Sequence, residues 1–387
     1  MLTRCRSWTG LIICCAVGYC CVLAIFVGVC FPEFSSLVSG LLLLFVRENT
    51  SALFYAFSQS HRHFSKPVGI EIVALVPFYR ADEMEILDCY LVENLASNNG
   101  FLDRVVFIPQ SNDTRSLEWL TSAVEQTSSY SISHDSEFSL TADTYDNTLF
   151  VWIDGDIVFL EDHTVPTMVK TKLDHPDVLL VSANTVNQGP LEALHSHPSI
   201  ALPYIPEPQV VRSSAESSNW RASSFSRCEA PAESQTHDYR WVLSDDEDFE
   251  HTPIGMSIYS ETGPGLEHWT VKTQQHYSFL YHLELGDLHR YKFPIWANPL
   301  GPISTNFFCF MGGDAATVQS FLQQNGPYGQ APVLQGSGSS GVNSIIIDGK
   351  GLAAHYSHEL GADCLDHADI LQRYRSYARE MVCPETA

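Results

Sequence analysis

After residue 68 the apolar and polar positions switch repeatedly between two periods. Short apolar runs rich in β-branched and aromatic residues read as buried strands, and apolar positions recurring at three and four read as helices. Glu71–Val76 is a first strand, closed by Pro77. Asp82–Ala96 carries Met84, Leu87, Leu91 and Leu95 at helical spacing, with Asp82 as its N-cap. Arg104–Pro109 is a second strand, Thr114–Thr127 a second helix and Tyr130–Asp146 a polar loop. Leu149–Ile153 is a third strand, His163–Leu173 a helix and Val178–Ala183 a fourth strand. This alternation predicts an α/β fold, a layered and mostly parallel sheet with helices on both faces. Further on, Trp269–Leu285 reads as a long aromatic helix whose Gln274, Gln275 and His276 face a cleft. Ile303–Phe310 reads as a strand with a helix after it, Ser344–Ile347 as a last strand and Ala368–Met381 as a closing helix.

Ahead of these elements the pattern is different. No charge occurs between Arg6 and Glu33, and Leu11–Phe31 is almost wholly apolar. A bilayer takes about 20 such residues. Arg4 and Arg6 precede the run, and no small-x-small cleavage site follows it. The expectation is a single-pass type II membrane protein of the Golgi or ER. It has a cytoplasmic tail (1–6), a retained signal-anchor helix (7–31), a stem (32–67) and a lumenal domain (68–387). A second apolar stretch, Leu37–Val46, is too short to span unless it extends through Phe57. Residues 206–248, rich in Ser, Glu, Asp and Pro, and 323–341, rich in Gly, Ser, Gln and Pro, read as flexible insertions. Trp220-Arg221 and Tyr239-Arg240-Trp241 interrupt the first of them, either as sugar-stacking rings or as loop anchors.

The chain has 387 residues and a net charge of −24, which argues against nucleic acid as a partner. Six of its 11 cysteines lie in or beside the N-terminal apolar run. The other five (Cys89, Cys228, Cys309, Cys364 and Cys383) show no Cys-x-x-Cys spacing. They allow at most two bridges, and Cys309, between aromatic residues, reads as a core thiol. Two sequons, Asn49-Thr50-Ser51 and Asn112-Asp113-Thr114, suit a lumenal domain.

The chemistry concentrates in Phe150-Val151-Trp152-Ile153-Asp154-Gly155-Asp156-Ile157-Val158. A buried strand cannot hold two ionised carboxylates, so Asp154 and Asp156 must stand where the strand ends. In an open α/β sheet that end is the ligand crevice. Two carboxylates one glycine apart can face one hard divalent cation, with Gly155 allowing a close backbone approach. The plain alternative is a hairpin turn, for which Asp-Gly is a strong signal.

Two families carry this pattern. The GT-A glycosyltransferases use Asp-x-Asp to hold Mn²⁺ or Mg²⁺ against the diphosphate of a sugar nucleotide. The haloacid-dehalogenase-type phosphatases use a similar stretch, in which Asp154 would be the nucleophile. In those phosphatases the motif strand opens the domain, whereas here two strand–helix units precede it. Ala74–Arg80, Trp152–Glu161, Asp177–Asn187, Gln274–Leu280, Asn306–Asp314 and Leu365–Cys383 resemble a fungal family of membrane-anchored GT-A-fold glycosyltransferases. A weaker likeness is to the capsule α-1,3-mannosyltransferases.

The resemblance implies a hexosyltransferase that moves a sugar from a GDP- or UDP-sugar to a glycan or glycoconjugate acceptor; the weaker likeness implies mannose. It implies Mn²⁺ or Mg²⁺ on Asp154 and Asp156, with His355 as a further ligand. It places Arg80, Asp113 and Asp154 on the nucleotide sugar and Asp314, at the head of a late helix, on the acceptor hydroxyl as base. A glycan on Asn112 would exclude Asp113 from that role, and helix capping is the plain alternative for both Asp113 and Asp314. A non-catalytic carbohydrate-binding or scaffold protein is a third reading.

Overall fold

Strand β1 (Glu71–Phe78) is apolar without alternation because both of its faces are covered. Ile72, Ala74, Val76 and Phe78 enter one hydrophobic core, while Val73 and Leu75 enter another on the opposite side of the sheet. This is a computed structural model, describing residues 64–133, 147–208, 219–224, 239–297, 303, 305–325, 344–356 and 368–383. All of them belong to the unit Arg62–Ala387. The expected anchor and most of the expected stem, with Leu37–Val46, lie outside the described residues, as do 209–218 and 225–238 of the first insertion and 326–341 of the second. Among the described residues no helix is long and apolar enough to cross a membrane.

After β1 come α1 (Ala81–Glu93), β2 (Arg104–Pro109), α2 (Thr114–Gln126), β3 (Tyr130–Ile132), β4 (Thr148–Ile153) and β5 (Ile157–Leu160). Then follow α3 (Thr164–Asp174), β6 (Val178–Val186), α4 (Glu192–His195), β7 (Tyr204–Pro208) and β8 (Tyr239–Leu243). The chain continues through α5 (Pro253–Tyr259), α6 (Trp269–Leu285), β9 (Trp296–Ala297), β10 (Phe307–Met311), α7 (Ala315–Asn325), β11 (Ser344–His355) and α8 (Ile370–Met381). Nine strands form one sheet in the order β3-β2-β1-β4-β10-β6-β11-β5, with β9 also on β11; β7 and β8 form a separate hairpin. Six of the nine (β1, β2, β3, β4, β6 and β11) run one way, and β5, β9 and β10 run against them. The sheet is therefore mixed and mostly parallel.

Helices cover both faces. Met84, Ile86 and Leu87 of α1, Met168 and Val169 of α3, Phe279 and Leu280 of α6 and Tyr374 of α8 fill the larger core. Ala315 and Val318 of α7 close the other, over Phe308 and Phe310. A disulfide between Cys89 and Cys383 ties α1 to the residue run after α8, and Cys309 is a free buried thiol.

Several expectations change. The N-cap of α1 is Arg80 rather than Asp82, so Asp82 and Glu83 stand in the first turn, where acids suit the helix dipole. Tyr130–Ile132 is an edge strand rather than loop. Within 206–248, Tyr239–Leu243 is a strand paired with β7, and Asp246–His251 is a 3₁₀ turn. Trp220 donates to Glu380, anchoring its loop, and Trp241 stacks on Tyr277, anchoring β8 to the core. Gln274, Gln275 and His276 are buried rather than cleft-facing; Gln274 bonds the backbone of Ile254 and Leu202.

Candidate metal centre

Asp154-Gly155-Asp156 joins β4 to β5, but these two strands do not pair. β4 lies between β1 and β10, and β5 lies on β11. The hairpin reading is excluded. The turn instead runs across the ends of β10 and β11: Asp154 N donates to the Asn306 carbonyl at 2.7 Å and Tyr356 N to the Asp156 carbonyl at 2.9 Å. This is the carboxyl edge of the parallel strands, where open α/β sheets bind ligands.

Gly155 serves a different close approach from the one expected. A Cβ there would stand 2.2 Å from the Pro77 carbonyl oxygen and 3.3 Å from Met84 Cε. The glycine lets the turn pack under the end of β1, which sets how far the two aspartates reach.

His355 arrives from β11. The expected strand end at Ile347 is passed, because β11 continues through Asp348-Gly349-Lys350-Gly351 with a register shift. Gly349 makes this possible: a Cβ there would collide with the Phe293 carbonyl at 2.3 Å. A second shift between Ala354 and His355 turns the imidazole toward the aspartates. Asn187, at φ 60°, holds the backbone there, its Nδ2 donating to the carbonyls of His355 (2.9 Å) and Tyr356 (3.3 Å). His276 is kept neutral, its pKa pushed down to about 3 chiefly by burial. Its Nε2 lies 2.9 Å from Asn187 Nδ2, which shares its two hydrogens among the ring and the two carbonyls, and its Nδ1 lies 3.0 Å from the Tyr374 hydroxyl.

Asp154, Asp156 and His355 thus offer three ligand atoms within 4.8 Å of one another. His355 Nε2 is 2.7 Å from Asp156 Oδ1 and 4.0 Å from Asp154 Oδ2. Ligand atoms about 2.1 Å from a hard octahedral cation stand about 3 Å apart when adjacent and about 4.2 Å when opposite. The set fits Mn²⁺ or Mg²⁺. The same Nε2 also meets the Asn306 amide nitrogen.

The other expected site residues are placed as follows. Arg80 follows β1 on the same edge, 3.7 Å from the buried Glu83 and 3.9 Å from Asp82. Asp113 also lies on that edge, after β2, and is the N-cap of α2; its Oδ2 accepts from Ser116 N at 2.8 Å. The Ser116 bonds hold its carboxyl below the ordinary range. Asp314 is elsewhere. β10 runs antiparallel, from Phe307 opposite Ile153 to Met311 opposite Leu149. Five residues at about 3.4 Å each carry the chain roughly 15 Å away, so Asp314 stands at the far edge of the sheet. It lies 3.7 Å from the ammonium of Lys172, whose side chain is fully buried. The expectation of an acceptor base here fails because the strand before it runs the other way. Residues the sequence reading passed over are Asn306, Asn187 and Gln188, whose Nε2 donates to Asn306 Oδ1 at 2.9 Å.

No protein-family model matches the chain, and no curated protein matches it. Among solved structures, glucosyl-3-phosphoglycerate synthase from Mycobacterium tuberculosis, in complex with Mn²⁺, UDP and phosphoglyceric acid, is similar at 19% identity. The likeness covers 33% of this chain and 50% of that enzyme, with a TM-score of 0.23, so the chain spans half of its length. A complex of CMP:2-keto-3-deoxy-manno-octonic acid synthetase with CTP is similar at 10% identity over 82% of this chain and 100% of that one, TM-score 0.32. Likeness at these scores carries no functional conclusion; the residues at the carboxyl edge do.

Proposed function

We propose that the chain is a metal-dependent glycosyltransferase of the GT-A kind, moving a sugar from a nucleotide-sugar donor to a glycan or glycoconjugate acceptor. The observation that carries this reading is the convergence of Asp154, Asp156 and His355 at the carboxyl edge, on a turn that is not a hairpin. A divalent cation bound there supplies positive charge against the diphosphate that leaves the sugar. Asp156 and His355, both buried, hold that charge in a low-dielectric setting, and the more exposed Asp154 completes the set. Arg80 and Asp113 stand on the same edge, available to phosphate, ribose or base. The phosphatase alternative is weakened by the element order, since β1, α1, β2 and α2 precede the motif strand β4.

The Cys89–Cys383 bridge supports a lumenal setting in the Golgi or ER, with the membrane segment at 7–31 as anchor. The resemblance noted in the sequence supports membership in the fungal GT-A-fold family, with mannose as one donor to test. The test is a titration of the purified full chain with GDP, UDP and their sugars, with and without Mn²⁺, repeated on Asp156→Ala. Binding that needs both the metal and Asp156 is expected and names the nucleotide. A folded chain that binds none of them overturns the transferase reading.

A further inference from the structure

The carboxyl edge carries one more buried polar group than the acidic motif accounts for. Asn306 precedes β10, is 7% exposed, and places its amide between Gln188 and His355 Nε2. Its backbone carbonyl also holds Asp154 N, so its position is tied to the turn itself. The side-chain nitrogen meets His355 Nε2, the atom that also faces Asp156 Oδ1 at 2.7 Å.

An amide's two ends have nearly the same shape, and the surrounding hydrogen bonds decide which end lies where. With protein atoms alone, Gln188 donates to Asn306 Oδ1. A cation among Asp154, Asp156 and His355 changes the requirement, because every atom facing it must offer a lone pair. Turning both amides over meets it. Asn306 then presents Oδ1 to the centre, and its Nδ2 donates to Gln188 Oε1, so the bond between the two side chains is kept. A neutral carbonyl oxygen is an ordinary ligand for a hard cation and adds no charge to two carboxylates already close together.

We propose that Asn306 is a fourth protein ligand of the divalent cation and that Gln188 sets the orientation of its amide. This rests on the metal site proposed above. Gln188 touches Asn306 rather than the centre, so it is a positioning residue.

The experiment is a Mn²⁺ titration of the purified full chain, read by loss of the EPR signal of free Mn²⁺, with melting curves on every variant. Asn306→Ala is expected to weaken Mn²⁺ at least about tenfold. Asn306→Asp, which keeps an oxygen in place, should bind at least as tightly as wild type, and it decides the matter if the alanine variant does not fold. Gln188 separates the two amide orientations. Gln188→Glu can only accept, so it should preserve binding if Asn306 turns its NH₂ that way. If Asn306 keeps its oxygen toward Gln188, two acceptors face each other and Gln188→Glu should weaken Mn²⁺ about tenfold or more. Asp156-dependent Mn²⁺ binding that ignores Asn306→Ala, or that Gln188→Glu weakens, overturns this inference alone. Mn²⁺ binding that ignores Asp156→Ala, or none at all, overturns the metal site itself.

Discussion

Replacing Gly155 by alanine tests whether the packing of the turn under β1 positions the two aspartates. The added Cβ would lie 2.2 Å from the Pro77 carbonyl oxygen, where 3.4 Å begins ordinary contact, so something must move by about 1.2 Å. Neither side is loose. The end of β1 is held by its parallel partner, Pro77 opposite Ile108 and Phe78 opposite Pro109, and by Gln110 N on the Phe78 carbonyl at 2.8 Å. The turn is held by Asp154 N on Asn306 and Tyr356 N on Asp156. Overpacking of this kind costs about 1–3 kcal/mol, which in a domain of this size lowers Tm by roughly 2–6 °C. Disturbing the groups that orient metal ligands typically costs about 10- to 100-fold in metal affinity, so Mn²⁺ affinity should fall roughly that much. Gly313→Ala is the control, since a Cβ there meets nothing within 4 Å. It should melt at or slightly above the wild-type temperature and bind Mn²⁺ normally. The assay is a melting curve and a Mn²⁺ titration on each variant. A Gly155→Ala chain that melts and binds like wild type would refute the claim that Pro77 and Gly155 set the reach of the aspartates.

Other consequences are simpler to state. Asp314→Asn removes the carboxylate 3.7 Å from the buried Lys172 ammonium. Because Asp314 is partly exposed, the cost should be about 1–2 kcal/mol, below the full penalty for breaking a buried pair. Mn²⁺-dependent nucleotide binding should stay within about twofold, and its loss would return Asp314 to the site. Reducing Cys89–Cys383, which spans 294 residues of chain, should cost about 2–5 kcal/mol and lower Tm under dithiothreitol; a Cys89→Ser chain should melt lower and ignore the reductant. Glu192 is buried, and desolvation first, then Glu267, raises its pKa to about 9. An acid raised in the folded state contributes stability below its unfolded pKa near 4.5 and loses it as pH rises toward 9. Glu192→Gln should therefore gain Tm relative to wild type progressively between pH 5 and 9, and a flat difference across that range would contradict the assignment.

How far the sequence could be read follows from what burial demands of each residue. Strands covered on both faces are mostly apolar, so β1, β4 and the first half of β6 are legible as runs, whereas the buried Ser182, Asn184 and Thr185 hide the second half of β6. Two carboxylates directly after such a run cannot stay inside without a cationic or hydrogen-bonding partner, so Asp154 and Asp156 are legible as a site before any fold is known. Direction is different: Phe307–Met311 has the same composition whichever way it runs, and only its pairing with β4 shows that it is antiparallel. That single unknown moved Asp314 from the metal edge to the far edge. Neutral amides are harder still. Burying a carboxylate without a partner is prohibitive, whereas burying a hydrogen-bonded amide costs little, so Asn306, Gln188 and Asn187 leave no mark in composition or charge. They become visible only when β10, β6 and β11 bring their ends to one edge. Charged ligands of such a centre can therefore be found from sequence, whereas its neutral ligands and the groups that orient them must be found from the fold. Asn306 and Gln188 are accordingly where substitution should separate a site assembled to hold a cation from one that merely carries two aspartates.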